Sequence, residues 1–191
     1  MKAIHAITGF ICIMVAGCAS QPESETVKPD YLKLGDSIAA ASFDNLRTAL
    51  QASVAKDGPE KSIGFCHDNA MALTGKLDSD SIHVYRVAER YRNPANQLKP
   101  GDQVAWQQYV TAKSKGDSIF STITESDSAV DYYKPILLQP MCATCHGQPI
   151  TNIPESLVRV IDSVYPGDLA KGFAPGDLRG MWHIRFIKPK S

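Results

Sequence analysis

The sequence predicts an α+β domain with a largely antiparallel sheet. Helix-periodic apolar residues fill the stretch from residue 30 to the seventies, and alternating, β-branched runs then recur between further helical stretches. Charge is balanced, with 20 basic and 20 acidic residues, and no Lys/Arg cluster stands out, which argues against nucleic acid as a partner.

From Asp30 to Lys56 the pattern is helical, with Leu46, Ala49, Leu50 and Val54 on one face. Asp57-Gly58-Pro59 ends that helix and begins another, because proline suits a first turn. The second helix carries Ile63, Cys66, Ala70 and Leu73 at intervals of three or four, so Cys66 lies in an apolar stripe. His67 falls about 100° around the helix, outside that stripe. Ser81 to Ala88 alternates as a strand, and Arg92-Asn93-Pro94-Ala95-Asn96 through Pro100-Gly101 is loop. Asp102 is expected to cap a helix bearing Val104, Trp106, Tyr109 and Val110 and ending near Gly116. Asp117 to Thr124 is expected to pair with Ala129 to Tyr133 through a turn at 125–128. A Pro-bounded stretch from Pro135 to Pro154 follows. Beyond it come a helix with Leu157, Val160, Ile161 and Val164 on one side, turns at Gly167-Asp168 and Gly176-Asp177, and a last strand from Met181 to Ile187.

The N-terminus has the shape of an export signal. Lys2 gives a positive start, and the apolar run from Ala6 to Ala16 is too short to span a bilayer. Val15-Ala16-Gly17-Cys18 looks like a bacterial lipobox, which implies cleavage before Cys18 and acylation of that residue, enough for stable anchoring. The expected organisation is a signal peptide over 1–17, a lipidated Cys18 with a polar tether over 18–29, and one domain over 30–191. Ala19, being other than Asp, points by analogy with such lipoproteins to the outer membrane, on its periplasmic side.

Cys142-Ala143-Thr144-Cys145-His146 is Cys-x-x-Cys-His, the attachment signal of a c-type haem. Two thiols three positions apart can each add across one vinyl group, and the following histidine then supplies an axial nitrogen. The alternatives are a redox dithiol, expected near a βαβ pattern, or half of a zinc site, which needs a second ligand pair. No second Cys-x-x-Cys exists, and export suits haem attachment, which takes place outside the cytoplasm. Of the five cysteines, Cys12 leaves with the signal, Cys18 takes lipid, and Cys142 and Cys145 take haem. Cys66 remains without a partner in an oxidising compartment, so iron ligation is an obvious role for it.

Four segments stand out together: Gly64-Phe65-Cys66, the 92–96 loop, the haem motif with Gly147, and Tyr165-Pro166 through Gly172 to Gly176-Asp177-Leu178-Arg179-Gly180. Their order and spacing resemble a family of exported single-haem c-type domains with a PAS-like fold. The resemblance covers the chain from about Asp30 onward and implies iron held between His146 and Cys66. Members of that family are often fused to sensor kinases; no kinase is present here, so a signal must leave through a redox or signalling partner, or as an electron. His67, Met71, His83, Met181 and His183 are the other candidates for the second axial ligand, with His67 the next choice. A thiolate lowers the potential of a haem, whereas methionine raises it.

Three function classes follow. A redox or small-ligand sensor would use a cysteine ligand that detaches on reduction or gas binding. An electron carrier would keep its coordination and expose a haem edge. An enzyme of peroxidase type needs an open iron position and a distal acid-base residue, and Cys66 ligation would fill that position. The sensor is the leading expectation, the carrier the alternative, and no catalytic residue is assigned.

Overall fold

The structure is a computed structural model that describes residues 30–189; the expected signal segment, Cys18 and the tether lie outside the described residues. The first element is α1, Tyr31–Thr74, whose N-terminus Asp30 caps by accepting the Lys33 N–H at 3.1 Å. Gly58 breaks it into two helices, with φ 81° and ψ 169°, a conformation that a side chain resists. Pro59 then starts the second helix, as the Asp-Gly-Pro sequence predicts.

Four strands form one antiparallel sheet in the order β1-β4-β3-β2: β1 is Ile82–Val87, β2 Thr122–Glu125, β3 Ala129–Leu137 and β4 Leu178–Ile187. Three helices complete the domain: α2, Gln103–Lys115, α3, Ala143–His146, and α4, Glu155–Val164. Alternation along the strands divides the sheet's residues between two cores. One face packs Val84, Val130, Tyr132, Trp182, Ile184 and Phe186 against Ile38 and Ala39 of α1. The other packs Val87, Tyr133 and Met181 against Ala105, Trp106 and Tyr109 of α2. The approach of α1 is close: a Cβ on Gly35 would lie 2.3 Å from the Tyr132 ring. Asp36 fastens the same contact by accepting from Tyr132 Oη, Lys134 Nζ and Ser121 Oγ at 2.7–2.8 Å. After Gly58, α1 meets a different partner, with Ile63 clustered among Ile153, Leu157, Ile161 and Tyr165 around α4.

Three local expectations are corrected. The strand expected over 117–124 is confined to Thr122–Glu125, because pairing with β3 begins only at Thr122 and Ser121 turns its hydroxyl to Asp36. Pro135 lies inside β3 and not at the edge of a loop; beyond Tyr133 the strand has lost β2 as a neighbour, and an edge tolerates proline. Asp102 does not cap α2 with its side chain. Its carboxylate accepts the Lys99 N–H at 2.8 Å, closing a turn before the helix, and its other oxygen meets His183. Among the described residues no helix is long and apolar enough to cross a membrane.

Candidate functional site

Between the two halves of α1, the α1 face of the sheet and α3 lies a cavity of about 520 Å³, within the usual range for small-molecule and cofactor sites. Its walls are mostly apolar: Leu50, Val54, Ile63 and Ala70 from α1, Ile136 and Leu138 near the end of β3, and Trp182 from β4. Cys66, Cys142, Cys145 and His146 all line it, although Cys66 is far from the other three in sequence. The spacing along α1 explains the first, since its stripe turns from the sheet toward this space after Gly58.

The histidine is held by a specific support. His146 Nδ1 lies 2.8 Å from the Ala170 carbonyl, which requires the proton on Nδ1 and leaves Nε2 as a lone-pair donor with no hydrogen bond. Burial, then the charges of Arg179 and Arg92, hold its pKa well below the ordinary range, so the imidazole is neutral. Ala170 is itself fixed, because its N–H donates to Asp168 Oδ1 at 2.8 Å. Asp168 in turn receives Arg92 on both oxygens, at 3.2 and 3.1 Å, while Arg92 Nη2 also donates to the Cys145 carbonyl at 2.6 Å. Burial would push the Asp168 carboxyl up, yet the hydrogen bond and charge of Arg92 hold it below its usual value. Backbone bonds from Gly172 to Gly147 and from Phe173 to His146 complete the clasp around α3. A ring nitrogen oriented through its opposite N–H is the usual arrangement of a histidine metal ligand.

Burial pushes the Cys66 and Cys145 thiols up, and Arg92 draws both back in part, joined at Cys66 by Arg86. Among the described residues no group of three or more His, Cys, Asp or Glu side chains could hold a bare metal ion. The donor set suits a flat, apolar group bearing its own metal: two thiols and an imidazole on one wall, a thiol on another and apolar walls between.

Of the other axial candidates only Met71 lines the cavity. His67, the next choice after Cys66 from the sequence, is instead exposed, with Nδ1 2.9 Å from Asp68 and its ring beside Tyr165. His83 lies near Tyr85 on β1 and does not line the cavity, and Met181 and His183 belong to the α2 side of the sheet. Sequence reasoning missed Arg86 as a site residue. Its signal was a cation at the parity of Ile82 and Val84, the strand positions that face α1.

Fold and site together define an α+β domain in which a long broken helix and an antiparallel sheet enclose one cavity lined by three cysteines and a histidine. The chain belongs to the Tll0287-like family, whose model matches residues 24–186. It is similar in fold to a cyanobacterial haem protein, Tll0287, with a TM-score of 0.58 and 20% identity over 86% of this chain and 99% of that one. No curated protein matches the sequence significantly.

Proposed function

We propose that this protein is a c-type cytochrome with one covalent haem, acting in redox or small-ligand sensing from a PAS-like domain. The observation that carries the reading is the convergence of Cys66 with Cys142, Cys145 and His146 on one cavity, with His146 Nε2 left without a partner. The thiol S–H of Cys142 and of Cys145 would each add across one vinyl group, and His146 Nε2 and Cys66 Sγ would hold the iron. Bound there, haem supplies one-electron exchange and a site for small ligands. Membership of the family and the likeness in fold to a haem protein support the same assignment. Acylated Cys18 would anchor the domain on the periplasmic side of a bacterial membrane, the outer membrane by its following residue, and a periplasmic redox or signalling protein would receive the output. No catalytic role is assigned.

A second reading, electron transfer, draws on Met141, Leu137 and Val54, which are exposed and line the cavity, an apolar rim on which another redox protein could dock. Absorption spectra of the mature protein, oxidised and reduced, with and without carbon monoxide, separate the two. A sensor shows thiolate ligation when ferric and loss of it on reduction or in carbon monoxide; unchanged low-spin coordination in every state would leave the carrier. Cys66→Ala should open the iron to added ligands while denaturing mass spectrometry still shows haem attached through Cys142 and Cys145. Haem released into acid acetone from the parent would refute covalent attachment.

A further inference from the structure

The cavity is cationic in a way that ligation of iron does not explain. Arg47, Arg86, Arg92 and Arg179 line it, and among the described residues no Asp or Glu does. Arg92 is neutralised by Asp168 and the outlying Arg47 by Asp44, at 3.1 and 2.9 Å. Among the described residues Arg86 and Arg179 have no carboxylate partner, their side-chain hydrogen bonds going to neutral oxygens. Arg86 donates through Nε to Thr74 Oγ1 at 2.9 Å, with its guanidinium 6.0 Å from the centre of the Trp182 ring. Arg179 donates through Nη1 to the Arg90 carbonyl at 3.0 Å and rests 5.3 Å from the Phe173 ring centre, while its Nε is buried with no acceptor at all. A buried donor without a partner is costly, and two guanidiniums near each other without a counter-charge are more so.

The position of Arg179 is also built. Ile136 pairs with Gly180 and Leu137 with Leu178, so β4 spends two steps where β3 spends one, and Arg179 is the extra residue of a β-bulge. Regular alternation would give Arg179 the parity of Met181 and His183, on the α2 side. The bulge is the local irregularity that lets it reach the α1-side cavity, although it also borders a smaller pocket with Trp106 and Val110 on the α2 side.

We propose that Arg86 and Arg179 are the anchoring sites for two carboxylates on the cavity's ligand, one carboxylate to each guanidinium. Resting on the haem reading above, those carboxylates are the two propionates, and the arginines fix which edge of the macrocycle turns toward β1 and the start of β4. Guanidinium suits this role because it can bind a carboxylate through two parallel N–H groups and stays charged.

Arg179 is tested first; because its charge also acts on His146, the pH profile and the propionate band decide the proposal and the potential alone does not. In the mature haem-loaded protein, Arg179→Gln should lower the reduction potential at pH 8, since a freed propionate charge favours ferric iron. The expected size is about a tenfold change in the ferrous-to-ferric ratio at fixed potential, or roughly 59 mV for one electron. Below neutral pH the variant's potential should climb as the freed propionate takes a proton, whereas the parent's should stay flatter. Arg179→Lys should restore most of both. Resonance Raman should show a shifted propionate-bending band in Arg179→Gln and, separately, in Arg86→Gln. Loss of thermal stability with an unchanged pH profile and band would mark Arg179 as structural and overturn the proposal. An unchanged band in either variant would overturn the two-arginine assignment. Absence of haem from the parent protein is a different result, and it would sink the haem reading itself.

Discussion

Two histidines on opposite sides of the sheet show how partners decide what an imidazole can do. His146 spends one nitrogen on a neutral carbonyl, 2.8 Å away, and presents the other to an apolar cavity. His183 spends both: Nδ1 lies 2.8 Å from Asp102 Oδ1 and Nε2 2.8 Å from Asp131 Oδ1, with Tyr133 stacked at 4.7 Å. The first has a nitrogen free for the iron ligation proposed above, and the second is a structural cross-link between β4, β3 and the start of α2. Nothing in the two residues differs. The difference is whether the second nitrogen has a carboxylate in front of it.

The comparison predicts unequal consequences. His146→Ala should abolish the low-spin spectrum of the haem-loaded protein, and added imidazole should restore it, because only an Nε2-type donor is missing. His183→Ala should leave the spectrum alone; a large spectral change there would break the comparison. Asp168→Asn should cost about 3–5 kcal/mol in urea unfolding, the usual penalty for leaving a buried charge unpaired, here that of Arg92. His183→Gln should cost less, about 1–3 kcal/mol, since Asp102 is left buried with fewer donors.

The smallest effect is on acid stability. Asp36 and Asp168 both have folded pKa values below the ordinary 3.8, the first chiefly through its hydrogen bond from Lys134, the second through Arg92 in spite of burial. Their contribution is therefore complete above that value and is lost as pH falls through the folded values. Asp36→Asn should flatten the acid limb of a stability–pH curve below pH 4, and an unchanged limb would show that the Lys134 contact adds nothing. Because Asp36 is half exposed, the effect should also shrink with added salt.

Much of this was legible in the chain. The Cys-x-x-Cys-His run, the stripe that carries Cys66 and the Gly58-Pro59 break are local signals, readable over a few residues. The errors came where distant segments decide. Ser121 leaves its strand for an aspartate 85 positions away, and Asp102 gives up capping for His183. His67 differs from Cys66 by a single helical step, which suffices to put it in solvent beside Asp68. Arg179 was unreadable as a cavity residue because alternation assigns it to the wrong face, and the bulge that corrects it depends on the register against β3.

The break at Gly58 makes the long helix a lever with its fulcrum at one residue. Its first arm is clamped to the sheet through Gly35 and Asp36, so a pull from the N-terminal side is met there. Its second arm carries Cys66 about two turns, or roughly 12 Å, beyond the fulcrum. On such an arm a swing of roughly 5° carries the cysteine backbone about 1 Å, several times the tolerance of about 0.2 Å in a metal–sulfur distance. That arm is steadied by α4 through Ile63 and, at its far end, by the hydrogen bond from Arg86 of β1 to Thr74, so the sulfur's reach is set from both sides of the cavity.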